Sequence, residues 1–370
     1  MIRLLSLIIV SFWWLGFLVS EAVPESTDPP SFKVGVSLPL TGDLAEYGAA
    51  VRNGIQLARS KFPNEFQRLS LDFEDNRYDA KTALAILSKF EGQKVDLVYS
   101  WGEVPFNAIA PVAEARQLAL TAYSLDNSSA RNSRFIVLTS NHPRSLTAPL
   151  MRALRDSGAK RIGIVKMEDP YINASITGLT ANLLPGEELK IISTVLPGGM
   201  DTKPHALRVK SSSVDVLGVY LYPGQISSFY RNLSQLRVLI PTFGTDIFES
   251  RAEIRSAGQA MHGALYPNFE IPEWFEDEYR QRFKNDAQIS YAYNGYAWAI
   301  ITAHVFKSVS GKISSEDLIG RFKTVSSAEV GINFIPNKLP EGVFCYEFPA
   351  IVRRVVDGEF ETAKGAGMAD

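Results

Sequence analysis

The stretch VGVSLPLTGDLAEYGAAVRNGIQLA, residues 34–58, decides how this chain is read. Residues 32–38 (FKVGVSL) form a β-branched, alternating run that predicts a strand. Residues 39–43 (PLTGD) carry turn chemistry. From there on, apolar side chains recur at Leu44, Tyr47, Val51, Ile55 and Ala58, the spacing of one helix face, and predict a helix over 44–61. Thr41 or Asp43 is expected to cap that helix, because a short side-chain oxygen accepts the free N–H groups of a first turn. The pentapeptide LPLTG at 38–42 also spells the signal that sortases cut, but no apolar stop segment follows it. It is a strand-to-helix turn. Open α/β sheets take ligands at such turns, where the helix N-terminus offers N–H groups to an anion.

The chain has 370 residues, enough for two domains and a large core. Its 38 basic and 40 acidic residues nearly cancel, and no arginine-rich run, basic helix or finger spacing suggests a nucleic-acid partner. Cys345 is the single cysteine, which excludes an internal disulfide and a cysteine-based zinc site. Arg3 precedes an apolar run over 4–20, and Ser20-Glu21-Ala22 follows with small residues at the cleavage positions. Residues 1–22 are therefore expected to be a secretory signal peptide, with an uncleaved membrane anchor as the alternative. Residues 23–31 (VPESTDPPS) read as a linker. The Asn-x-Ser/Thr triplets at Asn127, Asn173 and Asn232 are of a kind common by chance.

Strand-like segments at 32–38, 69–74, 95–100, 118–123 and 134–138 alternate with helix-like ones at 44–61, 79–92 and 105–117. The series restarts near residues 141–143 and repeats the plan through 243, which predicts α/β architecture in two similar lobes. A helix over 290–309 is apolar on most faces and is expected to be buried. Hairpin-like strands are expected in 343–356, and Asp357-Gly358 is a hairpin turn.

No catalytic constellation stands out. His142, His205, His262 and His304 are scattered, and HExxH, GxSxG and GxxxxGK[ST] are absent. The chain is expected to be no enzyme and to hold no metal and no cofactor. The strand ends instead offer polar and aromatic residues: Trp101-Gly102-Glu103-Val104, Ser124-Leu125-Asp126-Asn127, Glu168-Asp169-Pro170-Tyr171, Leu221-Tyr222-Pro223-Gly224 and Gly244-Thr245-Asp246. Two lobes presenting such loops would enclose a small polar ligand by hinge closure.

On these segments the chain resembles the branched-chain amino-acid-binding (leucine-binding) proteins of ABC transporters, which have the type I periplasmic-binding fold. The resemblance spans residues 32–357 and is strongest in the opening stretch, in LDFEDNRYDAKTALAILSKF and in APVAEARQLALTAYS. It implies two doubly wound Rossmann-like lobes joined by a three-crossover hinge. The implied N-terminal lobe is 32–140 with 269–325, the C-terminal lobe 141–268 with 326–357, and 358–370 a polar tail. The crossovers are expected near 140–144, 267–270 and 325–330.

The resemblance also implies a site. The aromatic residue that packs on the ligand falls on Tyr47. The loop that holds the ligand carboxylate falls on Gly102, Glu103 and Val104, with Trp101 beside it. Val104 stands where the family has a serine. The groups that take the ligand amine fall on Leu125 and Asn127. The second lobe contributes Tyr171, Tyr222 and Asp246, the last in place of the family's glutamate. Glu103 and the missing hydroxyl at Val104 argue against an ordinary aliphatic amino acid, and an amide, amine or other polar ligand fits as well. The expected role is that of a periplasmic or otherwise extracytoplasmic solute-binding protein, monomeric, presenting its ligand to an inner-membrane ABC permease. The alternative is a sensing module of the same fold that signals to a receptor or regulator.

Overall fold

The order of the chain in space follows from which strands are buried on both faces. The computed structural model describes residues 31–363, except 197. The expected signal peptide, most of the 23–31 linker and residues 364–370 lie outside the described residues. The first sheet is built from β1 (Phe32–Leu38), β2 (Leu69–Asp75), β3 (Leu97–Trp101), β4 (Leu120–Tyr123) and β5 (Ile136–Leu138). Helices α1 (Ala45–Lys61), α2 (Ala80–Gly92) and α3 (Glu103–Ala115) connect its first four strands, and α4 (Pro143–Asp156) leads away from it. The second sheet contains β6 (Arg161–Met167), β7 (Glu188–Val195), β8 (Val216–Tyr220), β9 (Thr242–Phe243) and β10 (Leu265–Phe269). Helices α5 (Pro170–Thr180), α6 (Lys203–Lys210), α7 (Gln225–Gln235) and α8 (Arg251–Ala257) belong to this run. Then follow α9 (Glu273–Phe283), α10 (Ile289–Lys307), α11 (Ser315–Phe322), α12 (Ser327–Val330), β11 (Ile335–Lys338), β12 (Phe344–Glu347), β13 (Ala350–Val356) and β14 (Glu359–Thr362).

The strands form two seven-stranded sheets, ordered β11-β12-β5-β4-β3-β1-β2 and β14-β13-β10-β9-β8-β6-β7. The central strands β3 (LVYSW) and β8 (VLGVY) are buried at every residue, as parallel strands covered by helices on both faces must be. In each sheet the order reverses beside the first strand, at β1/β3 and at β6/β8. Loops leaving the carboxyl ends at such a reversal diverge and leave a crevice for a ligand.

The late elements depart from the linear reading. β11 and β12 lie on the edge of the first sheet, β12 parallel to β5, whereas residues 326–357 had been expected in the second lobe. β12 and β13 are not hairpin partners, because Phe348 and Pro349 carry the chain from one sheet to the other and Pro349 has no N–H to give a ladder. The third crossing therefore sits at 348–349 and not at 325–330. Residues 359–362, expected in a polar tail, form β14. Asp357 and Gly358 both have positive φ, the turn that suits a twisted hairpin, and Phe360 packs on the core behind it.

All three crossings touch. Asn141 in the first donates through Nδ2 to the Phe348 carbonyl at 2.6 Å, and the Glu270 amide in the second donates to the Pro349 carbonyl at 2.8 Å. Behind them a buried ion network joins elements of the two lobes. Arg353 on β13 meets Glu249 at 3.2 Å and Glu276 on α9 at 2.7 Å. Ser290 on α10 donates to Glu249 as well.

α10 is buried on nearly every face, as its composition requires. It lies against α1 at backbone distance. A Cβ on Gly54 would meet the Ala292 carbonyl oxygen at 1.8 Å, and one on Gly295 the Val51 carbonyl oxygen at 2.4 Å. Glycine is what lets these two helices touch. Thr41 and Asp43 do not cap α1. The Thr41 hydroxyl donates to Asp75 instead, which fastens the β1–α1 turn to the end of β2. Among the described residues no helix is long and apolar enough to cross a membrane.

Candidate functional site

The carboxyl ends of both sheets face one enclosed box. From the first lobe come Leu44 and Tyr47 on the β1–α1 segment, Tyr78 after β2, Trp101 at the end of β3, Glu103 opening α3, Tyr123 ending β4 and Tyr291 on α10. The second lobe adds Tyr171 on the first turn of α5, Tyr222 after β8 and Ile247 after β9. The void they enclose is about 20 Å³. It shares Leu44, Tyr78 and Tyr222 with a neighbouring cleft of about 450 Å³, also lined by Val104, Asp169 and Gln225.

Local structure fixes each wall. Asn76, just after β2, donates to the Leu38 carbonyl and the Ser37 hydroxyl and accepts from the Tyr78 amide, and so holds Tyr78 in a left-handed turn (φ 55°). Gly102 has φ 93°, and a Cβ there would meet the Tyr78 ring at 2.4 Å, so this position needs glycine twice over. Asp169 caps α5 by accepting from the Tyr171 amide at 2.8 Å and so sets the helix that carries Tyr171. Thr245 caps the short turn Asp246–Glu249, which leaves the Asp246 carboxylate for other partners.

The rings form a continuous wall. Trp101 stacks with Tyr123 at 6.1 Å and meets Tyr291 edge-on at 5.2 Å. Tyr291 is also edge-on to Tyr123 at 5.5 Å and to Tyr47 at 5.4 Å. Such offset and edge contacts are the arrangements that ring quadrupoles favour.

Two carboxylates sit among these rings. Asp246 takes a hydroxyl hydrogen bond from Tyr171 of its own lobe, and Tyr291 of the other lobe acts with it to lower the carboxyl pKa. Burial pushes its pKa up to about 6, with the nearby Glu249 charge adding to the rise. Glu103 accepts from the Leu125 amide at 2.9 Å and from the Tyr78 hydroxyl at 3.2 Å. Burial pushes its pKa up to about 8, against the lowering effect of those bonds, and the Asp169 charge raises it further. Asp169 is itself raised by burial, while a hydrogen bond from Tyr222 opposes the rise. Burial, followed by the Asp246 charge, also raises the hydroxyl pKa of Tyr47, Tyr123, Tyr171 and Tyr291, which places that carboxylate electrostatically at the centre of the box.

The residues singled out from the sequence fall into two groups. Tyr47, Trp101, Glu103, Tyr171 and Tyr222 line the box, and Asp246 bonds one of its tyrosines, Tyr171. Gly102, Val104, Leu125 and Asn127 do not line it. The Gly102 amide donates to the Tyr123 carbonyl, and the Leu125 amide to Glu103. Val104 faces the 450 Å³ cleft. Leu125 and Asn127 border a separate cleft of about 480 Å³, together with Arg131, His142 and Arg144, and Asn127 reaches Glu341 at 3.4 Å. Tyr78, Tyr123 and Tyr291 were missed. Tyr123 was visible as the last residue of a strand; Tyr291 lay inside a helix whose uniform burial hides which face meets a ligand. Among the described residues no group of His, Cys, Asp and Glu is placed to hold a metal ion.

The sequence profile of the periplasmic binding protein family matches residues 31–335. The chain belongs to the periplasmic binding protein family. It is similar to the Leu/Ile/Val-binding protein BraC3 of Rhizobium johnstonii, at 23% identity over 247 residues. That match covers 64% of this chain and 66% of the relative, just under two thirds of its length. Solved structures share the fold. The leucine-binding protein LivK of Thermotoga maritima has a TM-score of 0.77 at 19% identity, covering 90% of this chain and 98% of its own. LivJ of Streptococcus pneumoniae, in complex with isoleucine, gives 0.73 at 16%, covering 90% and 100%. A solute-binding protein of R. palustris in complex with benzoate gives 0.76 at 16%, covering 91% and 96%. The fold is therefore that of a type I periplasmic binding protein. The family is one of solute-binding proteins and not of enzymes, and membership implies an extracytoplasmic location.

Proposed function

We propose that this periplasmic binding protein is the solute-binding component of an ABC transporter. It captures a small polar ligand between its lobes and presents the closed complex to a membrane permease. The observation that carries this reading is the shared box, to which both lobes contribute aromatic walls. A site divided between two lobes is complete only when they close, so ligand binding and closure are one event. The three touching crossings supply the hinge, and the lobes are taken to divide where the chain changes sheet. A thermal-shift screen of amino acids, amides, amines and small acids, followed by small-angle scattering with each hit, tests the proposal. A solute that raises Tm and shrinks the radius of gyration is the expected result. A screen in which no solute does either would overturn it.

A further inference from the structure

The box has a sign. No Lys, Arg or His lines it among the described residues, whereas Glu103 stands on its wall and Asp246 is hydrogen-bonded to its Tyr171. Both carboxylates are at least nineteen-twentieths buried, with exposures of 3% each. A buried carboxylate with no cation beside it is costly, and here neither is paired with one. Glu249, also buried, differs: it has Arg353 at 3.2 Å. Among the described residues the two at the box have no such ion pair, nor does buried Glu253, which the Gly224 and Ser227 amides hold.

Glu103 also occupies the place where an amino-acid ligand would need help. Its oxygens take the Leu125 amide and the Tyr78 hydroxyl, donors that a ligand carboxylate at this loop would have to use. A second carboxylate brought there would face Glu103 and Asp169. Glu103 thus already fills the donors that a ligand carboxylate would use.

Two further polar atoms on the wall find no hydrogen-bond partner among the described residues: the Tyr47 hydroxyl and the Trp101 Nε1–H. Tyr47 is 2% exposed and Trp101 5%, so water does not satisfy them from outside. Buried polar groups left unpaired in this way await a ligand atom. The indole can only donate, so the ligand that pairs it bears an acceptor such as a hydroxyl oxygen.

Aromatic rings without cations, and carboxylates without counter-charges, are what an organic ammonium recognises, through ring quadrupoles and direct charge. Resting on the solute-binding reading above, we propose that the box takes the head of a small organic cation, a methylated or primary ammonium, and not an α-amino acid or a carboxylate. The void as it stands has room for about one water-sized group, so a primary ammonium fits with least movement and a methylated head requires the rings to part around it. A hydroxyl-bearing substituent pairs the indole or runs past Tyr78 and Tyr222 into the 450 Å³ cleft.

The test is titration calorimetry of the purified chain with choline and methylammonium. The comparison solutes are 3,3-dimethylbutan-1-ol (the neutral body shaped like choline), leucine, acetamide and benzoate, with scattering to read closure. The expected result is that a cation binds and closes the lobes, and that the neutral body binds at least about 100-fold more weakly. Asp246→Asn should weaken the cation by at least about 30-fold. Glu103→Gln, which keeps the shape and one acceptor oxygen for the Leu125 amide, serves as a second variant, and a melting curve without ligand checks that each folds. Equal binding of choline and its neutral counterpart would overturn the proposal. Binding and closure with leucine, acetamide or benzoate but neither cation would overturn it while leaving the solute-binding reading intact. If no solute binds or closes the lobes, both fall.

Discussion

Asn141 and Phe348 hold each other by two hydrogen bonds: Asn141 Nδ2 donates to the Phe348 carbonyl at 2.6 Å, and the Phe348 amide donates to Asn141 Oδ1 at 3.3 Å. They belong to different crossings between the sheets, so one side chain ties together two strands of the hinge. Asn141→Ala leaves a buried amide and a buried carbonyl unpaired. We expect a loss of about 1–3 kcal/mol in a denaturant titration. Scattering without ligand should also show a broader spread of lobe separations, because the crossings then bend independently.

Glu103 makes stability depend on pH in a defined direction. Its ordinary value is 4.5 and burial raises it to about 8, in company with Tyr78, Asp169 and Tyr222. Between these values the native state holds a proton that the unfolded state has released. Stability of the ligand-free protein therefore falls as pH rises through this window. Asp246, facing Tyr171, Tyr291 and Glu249, acts in the same direction between 3.8 and about 6. Glu103→Gln removes only the first contribution. Melting curves at pH 5 and pH 8 should show the variant gaining on the parent as pH rises; a constant difference would refute the assignment.

Arg353 is the cation of the buried network between β13 and α9. Replacing it with methionine keeps much of the volume but leaves Glu249 without its cation and Glu276 without one of two, Arg280 being the other. Breaking a buried pair in this way costs about 3–5 kcal/mol. Equilibrium unfolding should register a loss of that size, and the double variant Arg353→Met, Glu249→Gln should recover part of it.

Tyr171 donates its hydroxyl to Asp246 within the second lobe, and Tyr291 of the first lobe influences the same carboxylate from the other side of the cleft. A hydrogen bond to a charged group contributes about 1.5–3 kcal/mol. Tyr171→Phe is therefore expected to lower stability by that amount in a denaturant titration and to leave the radius of gyration of the ligand-free protein unchanged. Tyr291→Phe, which removes a polar group facing the other lobe, should raise that radius instead.

Much of the fold was legible in the sequence because it is written locally. The run 34–58 reads as strand, turn and helix, and Asp357-Gly358 reads as a hairpin, since each rests on neighbouring residues. The sheet switch at Phe348-Pro349 was not legible, since apolar strands such as β12 and β13 suit either sheet. The site divides along the same line. Residues leaving strand ends, such as Trp101 and Tyr222, declared themselves by position. Tyr78 depends on Asn76 holding a left-handed turn, and Leu125 on a carboxylate 22 residues earlier taking its amide. Asn127 turns to Glu341, a partner far along the chain that no local pattern announces.

The glycine seam between α1 and α10 has a bearing on the order of events. Tyr47 and Tyr291 ride on helices whose backbones touch at Gly54 and Gly295, so their rings keep a fixed mutual pose whatever the other lobe does. With Trp101 and Tyr123 beside them, one half of the recognition surface is already assembled before any encounter. On the proposed closure, a solute meets this standing half first, and Asp246, Tyr171 and Tyr222 of the other lobe come down afterwards as a clasp. A bulkier side chain at Gly54 would pry the two helices apart and spoil the landing while leaving every residue of the clasp in place.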